Sequence, residues 1–274
     1  MFDILSPPTS NLKAQRVSQS LFEGALKAGL DAKLMQRYRP RPGSVLVVYG
    51  PGGGDRYQHV QEHPGTVVCW DVGYWDRELH YSERKFRVSI NALHPKDVMQ
   101  GYYPGPERWI ASGLKIAQAE CKGSIMLVGN GPKSIVIGAQ NWAAKKSREI
   151  RFVFQGRQLA YRPKPNRPHE PGVNFDILST GPIEEALART SLVVCRHSNV
   201  AVDACRMGVP VVCDDGAAAA IYPRRLEDAA RQPTTETRVE FLHRLAWWQW
   251  SPSEMESGVA WKWLTEKLHG IQHH

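Results

Sequence analysis

Short apolar runs recur along this chain at intervals that leave room for a helix between many of them. This alternation constrains the fold more than any other feature. Such runs, mostly apolar and rich in β-branched residues, occur at 44–49, 66–70, 87–90, 124–128, 191–195 and 209–213. Strands without polar alternation are buried on both faces, as in parallel sheets that are covered by helices. The sequence therefore predicts an α/β fold.

The alternation restarts after about residue 120, which favours two sheets over one sheet of ten strands. We predict a Rossmann-like domain over 1–118 and a second one over 119–234, each with a parallel sheet. Residues 235–274 contain helices rich in tryptophan, which we expect to pack back on the N-terminal domain. With 274 residues, the chain is long enough for two such domains.

The chain is basic, with 35 Lys and Arg against 27 Asp and Glu and a formal net charge of +8. An excess of positive charge favours polyanionic partners, either phosphate groups in a pocket or a nucleic acid on a surface. The charges are spread along the sequence, so an ordinary basic surface is the simpler alternative. The hydrophobic fraction of 42% is enough for packed cores and excludes extended disorder.

Five cysteines without any CxxC spacing argue against a disulfide framework and against a zinc site. Three of them lie in apolar runs, where a free thiol acts as a small core residue. No segment reaches the roughly 18 apolar residues that a membrane span needs. We therefore expect a cytoplasmic protein.

The turn after the run at 191–195 has the composition of a phosphate site. Arg196, His197, Ser198 and Asn199 stand where a helix is predicted to begin. A helix start presents unpaired amides and the positive end of its dipole, and ligands bind at the carboxyl edge of parallel sheets. Ser198 as a simple helix cap is the alternative. That alternative does not explain the other three residues.

A second turn, after the run at 124–128, combines small residues with a lysine. Its spacing matches neither a Walker loop nor a dinucleotide fingerprint, so on its own it is weak evidence. Together with the turn at His197 it predicts the other side of a phosphate site. The candidate residues are Gly129, Asn130, Gly131, Lys133 and Ser134.

Arg162 and Lys164 alternate with Pro163 and Pro165, which stiffen the chain and hold two cations near each other. Such a pair suits a diphosphate, although a solvated loop would have the same composition. Asp214 and Asp215 follow the last strand but lack the spacing and the third ligand of a metal site. A turn or a contact to sugar hydroxyls is the better interpretation, and no metal is expected.

In the first half, candidate residues for an acceptor follow two predicted strands. Asp71 stands at a strand end among aromatic residues, where apolar surroundings can raise a carboxylate pKa toward that of a general base. His94 is a second candidate for this role, and a structural role is open for both. On the acceptor side we place a glycine-rich turn and the aromatic residues beside Asp71, namely Gly52, Gly53, Asp55, Arg56, Tyr74 and Trp75.

Two stretches resemble glycosyltransferases of the GT-B class, namely IMLVGNGPKS (125–134) and VVCRHSNVAVDACRMGVPVVCDDGAAA (193–219). The resemblance implies that the two Rossmann-like domains face each other across a cleft. The domain over 1–118 would bind the acceptor and the domain over 119–234 a nucleotide-sugar donor, with a UDP-sugar as the expected co-substrate. It places the donor phosphates at His197, Ser198 and Asn199, and the ribose at Asp203. Neither a metal nor a tightly bound cofactor is implied. YGPGGG (49–54) and WDVGYWDRE (70–78) are similar to small glycosyltransferase-like proteins of bacteriophages and prophages.

The resemblance favours sugar transfer to a hydroxyl group. A hydroxymethylated base in phage DNA, flipped out of its stack in a bacterial host, fits the basic charge and the tryptophans. A surface polysaccharide is the rival acceptor. A nucleotide-sugar epimerase would share this architecture, and a non-catalytic protein that binds nucleic acid or nucleotide-sugar would share the phosphate-binding residues. Both of these hypotheses stay open.

Overall fold

A computed structural model describes residues 1–6, 11–53, 55–131, 134, 138–165 and 169–271 of the chain. The chain divides into two compact units, one formed by residues 1–95 together with the chain from 248 onward, the other by residues 96–247. Residues 96–118 and 235–247, which the sequence placed in the N-terminal domain and in the terminal helices, therefore belong to the second unit.

The strands of the first unit are β1 (Phe2–Leu5), β2 (Ala32–Met35), β3 (Val45–Tyr49), β4 (Val67–Val72), β5 (Phe86–Ile90) and β11 (Gln249–Trp250). Its helices are α1 (Leu12–Lys27), α2 (Arg56–Glu62), α8 (Pro252–Glu256) and α9 (Val259–Ile271). The strands of the second unit are β6 (Ser124–Val128), β7 (Leu159–Arg162), β8 (Ile177–Leu178), β9 (Thr190–Cys195) and β10 (Val211–Cys213). Its helices are α3 (Glu107–Ile110), α4 (Trp142–Val153), α5 (Ile183–Leu187), α6 (Val200–Met207) and α7 (Thr235–Ala246).

The first sheet has the order β11-β5-β4-β3-β1-β2 and is mixed. Strands β4, β3, β1 and β2 pair in parallel, whereas β5 runs antiparallel to β4 and β11 antiparallel to β5. The prediction of a wholly parallel sheet is wrong for these two strands. A parallel pair needs a long crossover, usually through a helix, but the segment between β4 and β5 forms turns. The chain therefore returns beside β4 in the opposite direction.

The tryptophans near the C-terminus contribute to the core of the first unit. Trp250 and Trp261 are fully buried, and the Trp261 indole nitrogen donates to the Leu21 carbonyl at 2.7 Å. The rings of Trp248 and Trp263 meet edge to face, with centroids 5.0 Å apart. These contacts attach the last helices to the unit that begins the chain.

The second sheet has the order β10-β9-β6-β7-β8, and all of its neighbouring strands are parallel. Its core packs the strand residues Ile125, Leu127, Leu159 and Val194 against helix α4. The fold class expected from the sequence, α/β with parallel sheets, is confirmed by this sheet and by the parallel part of the first.

Helix α4 extends further than local propensity predicts. Residues from Arg151 to Tyr161 have the pattern of an extended segment, but the helix continues to Val153 and β7 begins only at Leu159. Ala143, Ala144, Ser147 and Ile150 are buried at the spacing of one helical face, and Val153 also packs against this core, so packing stabilises the helix to its end. Tertiary burial outweighs the β propensity of the residues that follow.

Candidate functional site

The polar turns that the sequence predicts in the second unit meet at one edge of its sheet. Strand β6 is central, with β9 on one side and β7 on the other. Because the three strands are parallel, the turns that begin at Gly129, Arg196 and Pro163 leave from the same edge. Side-chain contacts then connect the turns.

The turn after β6 contacts the turn after β9. The Ser134 Oγ lies 2.9 Å from the His197 Nε2, and the Arg196 Nη1 donates to the Ser134 carbonyl at 3.2 Å. Residues that are far apart in sequence thus form one hydrogen-bonded group. Lys133, which the sequence places in this group, lies outside the described residues.

A lysine reaches the start of helix α6. The Lys164 Nζ donates to the Ser198 Oγ at 3.1 Å, and this hydroxyl also accepts a long bond from the Val200 amide at 3.4 Å. Asn199 precedes the first helical residue and lies in the helical region of backbone space. A cation, a hydroxyl group and the positive end of a helix dipole therefore occur together, as an anion site requires.

Arg162 contacts its own unit through both terminal nitrogens. The Nη1 donates to the Ser179 Oγ at 3.3 Å and the Nη2 to the Gly181 carbonyl at 2.6 Å. Burial lowers the pKa of this guanidinium, while the charges of Asp203 and Glu184 oppose the shift. Asp203 itself is buried. Arg162 thus supports the turn at 179–181. The prediction that Arg162 and Lys164 together bind a diphosphate did not include this contact.

Gly129 permits a close approach that no other residue would allow. A Cβ atom at this position would lie 2.5 Å from the Tyr161 hydroxyl oxygen. At Gly131 the nearest atom would be the Lys164 Cγ at 3.8 Å, an ordinary contact. Gly129 is therefore required by packing against β7.

The residue between the two glycines contacts the loop after β7. The Asn130 backbone amide donates to the Glu170 Oε1 at 2.6 Å.

The two aspartates after β10 are held by residues that the sequence did not single out. The Trp142 indole nitrogen donates to the Asp214 Oδ2 at 2.6 Å, and the Lys146 Nζ lies 3.7 Å from the Asp214 Oδ1. Burial raises the pKa of the Asp214 carboxyl, and the bond from Trp142 opposes this shift. The Lys96 Nζ lies 3.6 Å from the Asp215 Oδ1.

No local sequence pattern links Trp142, Lys146 or Glu170 to the site, because none of them stands directly after a predicted strand. Helix α4 and the loop after β7 bring them there.

The turn that contains Asp214 packs closely against the turn at His197. A Cβ atom on Gly216, whose φ is 93°, would lie 3.1 Å from the His197 Cα.

In the first unit, Asp71 lies within β4 and is paired. Its Oδ2 is 3.3 Å from the Arg87 Nη2, and its Oδ1 accepts the Val72 amide at 2.8 Å. The pair follows from the antiparallel register, in which Asp71 lies opposite Arg87. The Asp71 side chain is 18% exposed to solvent.

His94 and its neighbours are packed inside the first unit. His94 is 5% exposed, and its Nδ1 lies 3.3 Å from the hydroxyl oxygen of the buried Tyr74. Trp75 is buried as well. The structure thus places these three predicted acceptor-side and catalytic residues in the core.

The glycine-rich turn after β3 is closed by an arginine. The Arg56 Nε donates to the Gly53 carbonyl at 2.9 Å and the Nη1 to the Tyr49 carbonyl at 3.0 Å. A Cβ atom on Gly53 would lie 2.5 Å from the Arg56 Nη2. Gly52 is half-buried in this turn, and Asp55 is exposed just before α2. Gly53 therefore serves close contact with Arg56.

Among the described residues, no group of three or more His, Cys, Asp or Glu side chains is arranged to hold a metal ion. No helix within the described ranges is long and apolar enough to cross a membrane.

No protein-family model and no curated protein sequence matches the chain. Among solved structures, it is similar to the KpsC β-Kdo 2,7 transferase of Thermosulfurimonas dismutans, with a TM-score of 0.56 and 13% identity over 94% of this chain and 98% of the other. The KpsC β-Kdo 2,4 transferase of the same organism has a TM-score of 0.49 and 10% identity over 89% of each chain. The first likeness shows that the chain shares the α/β fold of a glycosyltransferase.

Proposed function

We propose that the protein is a glycosyltransferase that moves a sugar from a nucleotide-sugar donor to a hydroxyl group of a saccharide. The observation that carries the proposal is the joined group of turns in the second unit, in which Ser134 contacts His197 and Lys164 contacts Ser198. The fold shared with a sugar transferase over nearly the whole chain supports the reaction class.

The donor phosphates would bind at the start of α6. Lys164, Ser198 and the amides of the first helical turn supply charge and hydrogen bonds that strengthen as the nucleotide leaves with negative charge. His197 and Arg196 orient Ser134 and hold the turns together. We keep Asp203 as a candidate for the ribose, and UDP as the expected nucleotide.

In the reaction, the acceptor oxygen bonds to the anomeric carbon while the bond from that carbon to the donor phosphate oxygen breaks. The nucleotide leaves with the bonding electrons, and the hydroxyl proton passes to a base. We propose Asp71 for this role over His94, because the Asp71 side chain is 18% exposed and His94 only 5%.

A saccharide acceptor is preferred to a hydroxymethylated DNA base. The name of the similar structure describes transfer of Kdo through a 2,7 linkage, which is carbohydrate chemistry. The basic charge that suggested DNA is equally explained by a site for donor phosphates. The phage relationship has no further support.

The test is incubation of the full chain with sugars linked to UDP, GDP, dTDP and CMP, together with an oligosaccharide panel or hydroxymethylated DNA. Mass spectrometry follows the released nucleotide and the mass of each acceptor. We expect nucleotide release coupled to a sugar added to an oligosaccharide. A sugar added to DNA would replace the acceptor assignment. An isomerised sugar nucleotide, or binding without any turnover, would overturn the transferase assignment.

A further inference from the structure

Glu170 places a carboxylate at the turn after β6, which is one of the joined turns of the proposed donor site. Its Oε1 accepts the backbone amide of Asn130 at 2.6 Å, directly after Gly129 at the carboxyl edge of the sheet. Backbone amides in such turns are typical ligands of phosphate oxygens. We propose that Glu170 occupies the position of a donor phosphate oxygen and is displaced when the donor binds. The inference rests on the proposed function, since it needs a phosphorylated ligand.

The position of Glu170 is set by β7. The Glu170 backbone amide donates to the Tyr161 hydroxyl at 3.3 Å, and this hydroxyl occupies the space that a side chain at residue 129 would need. The carboxylate is therefore carried to the Asn130 amide by packing against strand β7. The Glu170 carboxylate is thus an anion of the protein itself, bound at the amide where we propose that a phosphate oxygen binds.

The loop after β7 brings opposite charges to the two turns. Lys164 reaches Ser198 at the start of α6, whereas Glu170 reaches the Asn130 amide. An incoming phosphate attracts Lys164 and repels Glu170, so binding would keep the first contact and break the second. The ligand replaces the carboxylate as the partner of the amide, and no backbone donor is left unpaired.

The side chain of Asn130 is a second, independent sign of a ligand. Its amide nitrogen is buried and has no hydrogen-bond partner in the described part of the chain. A buried donor without a partner costs free energy unless something binds to it. A phosphate oxygen at the Glu170 position would accept from the backbone amide, and a neighbouring oxygen could accept from this side chain.

Isothermal titration of the full chain with inorganic pyrophosphate tests the inference. Glu170→Gln keeps an oxygen that can accept the Asn130 amide, but it removes the charge that competes with the ligand. We expect the variant to bind pyrophosphate about fivefold to tenfold more tightly than the wild type does. The reason is that pyrophosphate then displaces a neutral hydrogen bond to the Asn130 amide, which is weaker than the charged one in the wild type. The control is Glu185→Gln, which removes the same charge from an exposed position on helix α5.

The control separates a local competition from a general change of charge. Equal gains in both variants, or no gain in Glu170→Gln, would overturn the inference, as would an absence of pyrophosphate binding in all three proteins. Thermal melting of each variant verifies that the fold is kept. If Glu170→Gln binds pyrophosphate more tightly while no nucleotide-sugar is turned over, the displacement stands and the proposed function fails.

Discussion

The two units contain sheets of similar size, yet within the described residues the polar turns that bond to one another are those of the second unit. In the second unit all strands are parallel, so the turns after β6, β7 and β9 leave one edge and bond to each other through Ser134, His197, Lys164 and Ser198. In the first unit β5 runs against β4 and places Arg87 opposite Asp71.

The difference at Asp71 follows from the direction of β5, the strand on one side of β4. In the second unit, where the neighbouring strands run the same way, polar residues at strand ends meet other strand ends. Where the neighbour runs the opposite way, the residue meets a strand start and is neutralised within the sheet. The proposed role of Asp71 as a base requires it to take a proton from the acceptor while it lies beside Arg87.

The largest expected effect comes from Asp71, and it tests whether the first unit has a chemical role. Asp71→Asn keeps a hydrogen-bond acceptor for Arg87 but cannot take a proton at neutral pH. We expect turnover to fall by about 100-fold, as is typical for loss of a general base, while donor affinity stays unchanged. Initial rates and donor titrations measure the two quantities. If the variant melts at a lower temperature but keeps its turnover per folded molecule, Asp71 is structural.

A smaller effect is expected from Lys164, and it tests whether the second unit alone holds the donor. Lys164→Ala removes the cation at the start of α6. We expect affinity for the nucleotide to fall about tenfold, the effect of losing one charged hydrogen bond. The control is Lys145→Ala, an exposed lysine on helix α4. Equal losses in both variants, measured by titration calorimetry, would mean that general charge and not this turn attracts the ligand.

The smallest effect concerns the shape of the turn after β6. Gly129→Ala would place a methyl group 2.5 Å from the Tyr161 hydroxyl oxygen, and we expect a loss of about 1–3 kcal/mol of unfolding free energy from the overpacking. Gly131→Ala, whose Cβ would lie 3.8 Å from the nearest atom, is the matched control. Denaturant unfolding of both variants makes the measurement. Equal stabilities would remove the packing argument for Gly129.

Sequence reasoning located the turns at Gly129 and His197 because a strand end followed by small and polar residues is a local pattern. It missed Trp142, Lys146 and Glu170, which reach the site from a helix and from a loop. It also placed Tyr74 and Trp75 on an acceptor surface, whereas both are buried. Aromatic residues beside a carboxylate have the same local pattern in a pocket and in a core.

Local sequence patterns are sufficient to predict the α/β class, since strands buried on both faces appear as unbroken apolar runs that need helices on each side. They also predict where the strand-end turns of the second unit lie. Three contacts become visible only in the folded chain: Asp71 pairs with Arg87, Arg162 supports the turn at 179–181, and Glu170 accepts the Asn130 amide. These contacts join residues from different strands and loops, so they depend on strand direction and side-chain packing, which local patterns do not encode.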